Sequence, residues 1–205
     1  MTKAELRAKI VVIRDALSSE DVSRLSAAIR KRALALPELK AARSVFTYVS
    51  EGNEVDTHAL IIELLRQGKV VAVPRIKSKG VMDAHRIARL DDLVPGRFGI
   101  LAPKASNPLE GPPDVVVCPA VALTPKGERL GRGGAYYDRY LAGHSGSLAV
   151  ALGYEFQIVG EIPADDTPVG AGDQRVAVIV TELRMIRPAA TDGRPGEGQG
   201  RPAGT

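Results

Sequence analysis

Val45-Phe46-Thr47-Tyr48-Val49 and Val70-Val71-Ala72-Val73 are two short apolar runs with one cappable segment between them. The first is made of β-branched and aromatic residues and reads as a strand. A polar loop from Ser50 to Asp56 follows it. Asp56 or Thr57 can then cap a helix reaching about Gln67, and Gly68 stops that helix. Val70 to Val73 reads as a short buried strand closed by Pro74. Strand, helix and strand in that order imply a parallel pair with a right-handed crossover.

The same reading extends outward from this unit. Leu6, Ile10, Ile13 and Leu17 recur at helical spacing over residues 3–17, with Lys and Arg between them. Ser18 or Ser19 caps a second helix running to about Leu36 and ended by Pro37. Further strands are expected at about 81–87, 114–118, 148–153 and 176–181, with a helix at about 134–142 and a short turn at 155–159. Residues 90–113 are turn-rich and without period. The pattern predicts an α/β fold: a three-layer sandwich with a mostly parallel central sheet and helices on both faces, in one domain over residues 1–187. Pro188 to Thr205 holds three prolines and five glycines, and a tail of that composition is expected to be disordered.

Composition excludes several classes. At 205 residues with 44% apolar and 25% charged residues, the chain fits one soluble globular domain of ordinary size. No run approaches the roughly 18–20 apolar residues of a membrane span, and Met1-Thr-Lys-Ala-Glu-Leu-Arg7 lacks the apolar core of a signal peptide. The lone Cys118 rules out an intrachain disulfide and suits the cytoplasm; at the end of Asp114-Val115-Val116-Val117 it reads as a buried apolar residue. A net charge of +4 with scattered basic residues is no nucleic-acid footprint, and polyanionic small ligands account for it. His58, His85 and His144 are dispersed, without metal-ligand spacing.

Function is written in Gly127-Glu-Arg-Leu-Gly-Arg-Gly-Gly-Ala-Tyr-Tyr-Asp138. Glycines let successive N–H groups converge on an anion, and Arg129 and Arg132 can add charge-assisted contacts to phosphate oxygens. Asp138 is a hard oxygen ligand of the type that holds magnesium against phosphates. The stretch is no Walker loop, since it lacks the Gly-Lys-Ser/Thr ending, and no dinucleotide fingerprint, since no strand directly precedes its first glycine. Ligands of such a sheet sit at the carboxyl ends of its strands, where the loops Glu51–Asp56 and Gly127–Asp138 are expected to emerge.

The stretch resembles the signature of the 5-formyltetrahydrofolate cyclo-ligases, also called methenyltetrahydrofolate synthetases, which reads Arg-Leu-Gly-Arg-Gly-x-Gly-Tyr-Tyr-Asp. Lys3-x-x-x-Arg7, Asn53-Glu-Val-Asp-Thr57, Val73-Pro-Arg75 and Phe98-Gly-Ile100 are similar to other pieces of that family, and the likeness runs from Lys3 to about Glu182. Ala135 departs from it, standing where the family has glycine; if that position has positive φ, the alanine is strained. The resemblance implies ATP-dependent cyclisation of 5-formyltetrahydrofolate, with or without a polyglutamate tail, by a monomeric cytoplasmic enzyme that binds neither nucleic acid nor membrane. ATP would be held by Lys3, Arg7 and the run Arg129, Leu130, Gly131, Arg132, Gly133, Gly134, Ala135, Tyr136 and Tyr137. The folate would meet Val49, Glu54, Arg132 and Tyr136, with Arg132 and Tyr136 as catalytic residues. Magnesium would sit on Asp138 and Asp166, with Asp165 or Asp173 as alternatives to Asp166. Tyr136 and Tyr137 cannot both face one pocket from the start of a helix, so one of them is expected in the core. Arg14, seven residues beyond Arg7 on nearly the same side, is a weaker phosphate candidate. Two other classes remain: a binding protein that kept the cradle without turnover, and a different enzyme, such as a sugar-phosphate isomerase, on a related scaffold.

Overall fold

The computed structural model describes residues 1–96, 101–164 and 173–189. Phe98-Gly99-Ile100, Asp165, Asp166 and most of the tail expected from Pro188 therefore lie outside the described residues. Helix α1 (Lys3–Asp15) opens with a capping box, in which Thr2 accepts from the Glu5 N–H and Glu5 accepts from the Thr2 N–H. Its buried stripe is Lys3, Leu6, Ile10 and Arg14. The expected Ile13 is 41% exposed instead, because the i+4 step from Ile10 falls on Arg14.

Helix α2 (Ser19–Ala35) is capped by Ser18, whose hydroxyl accepts from the Asp21 N–H. Pro37 does not simply end the helical region: it opens α3 (Pro37–Ala41), where the first-turn N–H that proline lacks would be unpaired anyway. Strand β1 (Ser44–Thr47) leads through the polar loop to α4 (His58–Arg66). Asp56 Oδ1 accepts from the His58 N–H at that helix start, whereas the Thr57 hydroxyl turns back to donate to the Tyr48 carbonyl. Gly68, at φ +74, ends α4 as expected, with its N–H on Leu65 O and the Lys69 N–H on Leu64 O.

Strand β2 (Val70–Ser78) runs past Pro74 rather than closing there. Its pairing with β1 ends at Ala72, so from Pro74 onward its pairing partner among the described residues is β3 (Val81–Ile87), and the missing N–H costs no bond to β1. The turn-rich stretch that follows holds a 3-10 turn (Leu90–Asp92) and the small pair β4 (Leu93–Pro95) and β5 (Leu101–Pro103). Next come β6 (Val115–Cys118), the two-residue hairpin β7 (Ala122–Leu123) and β8 (Arg129–Leu130), and α5 (Tyr136–Ala142). Strands β9 (Leu148–Leu152), β10 (Val178–Val180) and β11 (Met185–Ile186) complete the fold.

The seven-stranded sheet has the order β11-β10-β9-β6-β1-β2-β3. Its five inner strands are parallel and both edge strands antiparallel. The chain winds from β1 toward β2 on one side and from β6 toward β9 and β10 on the other. Right-handed crossovers in opposite directions put α4 and α5 on opposite faces, which gives the expected sandwich. On the α5 face Tyr137 and Tyr140 pack on Phe46 of β1, at ring distances of 5.9 and 4.5 Å. On the other face α2 packs against α3, α4 and β10. Cys118 lies in this core, where burial pushes its thiol up to about 12.

Helix α1 sits apart from that core. Leu6 and Ile10 form a second cluster with Val121, Ala122 and Leu130 of the β7–β8 hairpin. No helix among the described residues is long and apolar enough to cross a membrane.

The start of α4 carries a pH-dependent pair. Asp56 Oδ1 lies 2.8 Å from His58 Nδ1; that hydrogen bond is the main cause that lowers Asp56 from 3.8 to about 2 and raises His58 above its ordinary 6.5. A raised histidine contributes stability in full below 6.5 and loses it as pH climbs through the raised value. A depressed carboxylate contributes above 3.8 and loses it as pH falls toward 2. The pair therefore stabilises most between 3.8 and 6.5. His58→Gln is expected to shrink the drop in denaturation midpoint between about pH 6 and pH 8, measured in urea on both proteins. An unchanged drop would assign that pH dependence to other groups.

Candidate active site at the strand-order switch

Neighbouring strands β1 and β6 mark the point where the strand order reverses, and the crevice at their carboxyl ends is where such sheets bind ligands. Two loops rise from this crevice, Tyr48–Thr57 after β1 and the glycine-rich stretch after β8. Arg132 joins them. Its Nη1 donates to Glu51 Oε2 at 2.8 Å and its Nη2 lies 2.9 Å from Glu54 Oε1. The two acids differ in setting: the Glu54 side chain is 10% exposed and that of Glu51 48%. Glu54 is also held from behind, its Oε2 accepting the Glu51 N–H and its Oε1 lying 3.9 Å from Arg14 Nη1.

Arg14, expected among the phosphate groups, thus stands against the carboxylate assigned to the folate. Arg14, Glu54, Tyr48, Val55, Pro119 and Gln157 line a small pocket there. Asn53 fixes the same loop to the end of α1, its amide donating to the Arg14, Asp15 and Leu17 carbonyls. Val49 is buried beside this loop.

The glycine loop needs small residues. Gly133 adopts φ +97, and a Cβ on Gly134 would lie 2.7 Å from the Tyr136 ring. Arg7 Nε donates to the Gly131 carbonyl at 2.8 Å, which ties α1 to the loop. Ala135 adopts φ +52, the one non-glycine residue with positive φ among the described residues. The strain anticipated for this alanine is therefore present. Ala135→Gly is expected to stabilise the protein by about 0.5–1 kcal/mol, raising the thermal midpoint by roughly 1–4 °C. A lowered midpoint would mean that glycine's extra freedom in the unfolded chain outweighs the relief.

One expectation needs revision in its geometry. Arg129 does not present an open fork to the crevice. Its side chain is 2% exposed, Nη2 lies 2.6 Å from Asp138 Oδ1, Nη1 donates to the Pro119 carbonyl, and its guanidinium sits over the Tyr137 ring. Tyr137 is the tyrosine of the pair that enters the core, stacked on Phe46, while Tyr136 stays half-buried beside Gly134. The helical start forces this split, since adjacent residues point about 100° apart. Lys3 Nζ lies 2.9 Å from Asp173 Oδ2, so the acid considered as a metal ligand is paired with the lysine considered for phosphate. No group of three or more His, Cys, Asp or Glu able to hold a metal occurs among the described residues.

Glycine loop, basic α1 and buried carboxylate thus meet at one crevice, and residues 1–182 match the sequence model of the 5-formyltetrahydrofolate cyclo-ligase family. The chain belongs to that family. A cyclo-ligase of Haemophilus influenzae is 31% identical over 82% of this chain and 94% of its own length. A probable cyclo-ligase of Caenorhabditis elegans is 29% identical over 82% and 88%. The structure of Aquifex aeolicus 5,10-methenyltetrahydrofolate synthetase superposes with a TM-score of 0.80 at 34% identity, covering 97% of this chain and 98% of that one. Membership in the cyclo-ligase family makes the chain an enzyme of the ligase class in folate one-carbon metabolism. The sequence pattern does not mark Glu51 as a partner of Arg132, nor Arg14 as an inward residue beside Glu54. The place of Arg14 on the Leu6–Ile10 face of α1 was the available signal for the second; nothing local marked Glu51.

Proposed function

We propose that the protein closes 5-formyltetrahydrofolate to 5,10-methenyltetrahydrofolate, consuming ATP and releasing ADP and phosphate. The supporting observation is the reach of Arg132 from the glycine loop to Glu54, which brings the side proposed for phosphate within one guanidinium of the side proposed for folate. A formamide oxygen is a poor leaving group, so it must first be activated. The formyl oxygen attacks the γ-phosphorus and ADP leaves, giving an N5-iminium phosphate. N10 then attacks the formyl carbon and loses its proton, and phosphate departs with the former formyl oxygen.

In this reading Lys3, Arg7 and the Gly131–Ala135 amides hold the phosphates, and Arg132 neutralises the transferring group. Glu54 accepts hydrogen bonds from pterin N–H groups, with Val49 and Tyr136 as apolar walls. Arg129 acts through Asp138, fixing one carboxylate oxygen. Among the described residues, Asp138 accepts from Arg129 and the Gln174 N–H through Oδ1, which leaves Oδ2 as the oxygen suited to magnesium, an ion that takes one or two carboxylates plus phosphate oxygens. Magnesium bound by Asp138 and Asp166 would neutralise phosphate charge. The test is near-ultraviolet absorbance of methenyltetrahydrofolate from purified protein, 5-formyltetrahydrofolate and Mg-ATP. Product that requires ATP supports the reading; no product from folded protein that binds ATP would move it to binding without turnover.

A further inference from the structure

Arg132 is shared between two acids of unequal standing, and that asymmetry has a use. Glu54 is enclosed and carries Arg14 and the Glu51 N–H behind it, so it is the acid a buried ligand donor would meet. Glu51 faces outward and holds the other arm of the guanidinium, Nη1, at 2.8 Å. A ligand N–H that takes Glu54 Oε1 competes with Nη2 and leaves the Nη1 bond to Glu51 standing. We infer that Glu51 is a positioning residue for Arg132: it keeps one arm of the guanidinium while Glu54 passes to the folate, and so presents the freed arm to the phosphate. The inference rests on the proposed reaction and deepens it.

Two opposite effects follow from one side chain. Without folate, Glu51 is an acid that competes with phosphate for Arg132; with folate bound, it is the tether that aims Arg132. The pair is half-exposed and therefore weak enough to exchange. A tether matters for turnover because a misaimed cation loses its effect in the transition state.

The test compares Glu51→Gln with the native protein. Calorimetry with a non-hydrolysable ATP analogue, without folate, is expected to show binding tighter by about 2–5-fold. Turnover is expected to fall about ten-fold in kcat with little change in the folate KM, and Glu51→Asp recovers part of the loss. In an Arg132→Ala background, Glu51→Gln should change neither quantity beyond about two-fold. Loss of a merely structural group would weaken nucleotide binding and turnover together. Analogue affinity that is equal or weaker, kcat within about two-fold of native, or the same loss in the Arg132→Ala background overturns the assignment. If the native protein turns nothing over, the proposed reaction fails, while the analogue titration still decides whether Glu51 competes for Arg132.

Discussion

Arg132→Ala is expected to lower kcat by about 10³-fold while leaving the protein folded. Arg132 is the described cation that touches both loops of the crevice, and its side chain is 49% exposed. Pairs of that exposure contribute about 0–1 kcal/mol to folding, so truncation leaves the sheet intact. Glu54 retains the Glu51 N–H and Arg14 as partners. The loss falls on the chemical step, where charge on the transferring phosphoryl group would go unneutralised. The measurement is steady-state formation of methenyltetrahydrofolate beside a circular dichroism melt. A variant within about ten-fold of native kcat would place phosphate stabilisation elsewhere.

Arg129→Ala is expected to act on the fold instead, destabilising it by about 3–5 kcal/mol. The guanidinium is enclosed, and its partner Asp138 is 13% exposed at the head of α5. Removing Arg129 takes the opposite charge from the enclosed Asp138, which keeps the Gln174 N–H, and it also empties the space beneath the Tyr137 ring. Asp138→Ala should cost a comparable amount. The double replacement should cost less than the sum of the two, because no orphaned charge remains. Urea denaturation of the three variants measures this. Additive losses would mean that the pair does not act as a unit.

The contrast between these two arginines shows what a sequence can carry. Local pattern sufficed for the β1–α4–β2 unit, the Ser18 cap and the strands Val115–Cys118 and Leu148–Leu152, because valine-rich runs and cap residues act over a few neighbours. It also marked Arg129 and Arg132 together, through the glycine stretch. It could not separate the inward Arg129 from the outward Arg132, which differ by hairpin register rather than by residue type. The β7–β8 hairpin that sets this register has two residues per strand, too few to show a period. Arg132 and Glu51 are 81 residues apart, and their meeting depends on the strand order. Pro74 misled because proline is judged by the strand on each side of it, which only the sheet supplies. Ile13 misled because a leucine or isoleucine at helical spacing outranks an arginine in any apolar count, although Arg14 occupies the buried row.

Helix α1 rests on its own apolar cluster with the β7–β8 hairpin while the sheet keeps a separate core. Segments anchored by few apolar contacts open at lower free energy than the domain that carries them. The expected consequence is thermal: warming releases α1, with Lys3, Arg7 and Arg14, before the sheet melts. Turnover followed on heating is expected to fail below the temperature at which the sheet loses its ellipticity, and coincident midpoints would mean that helix and sheet melt as one.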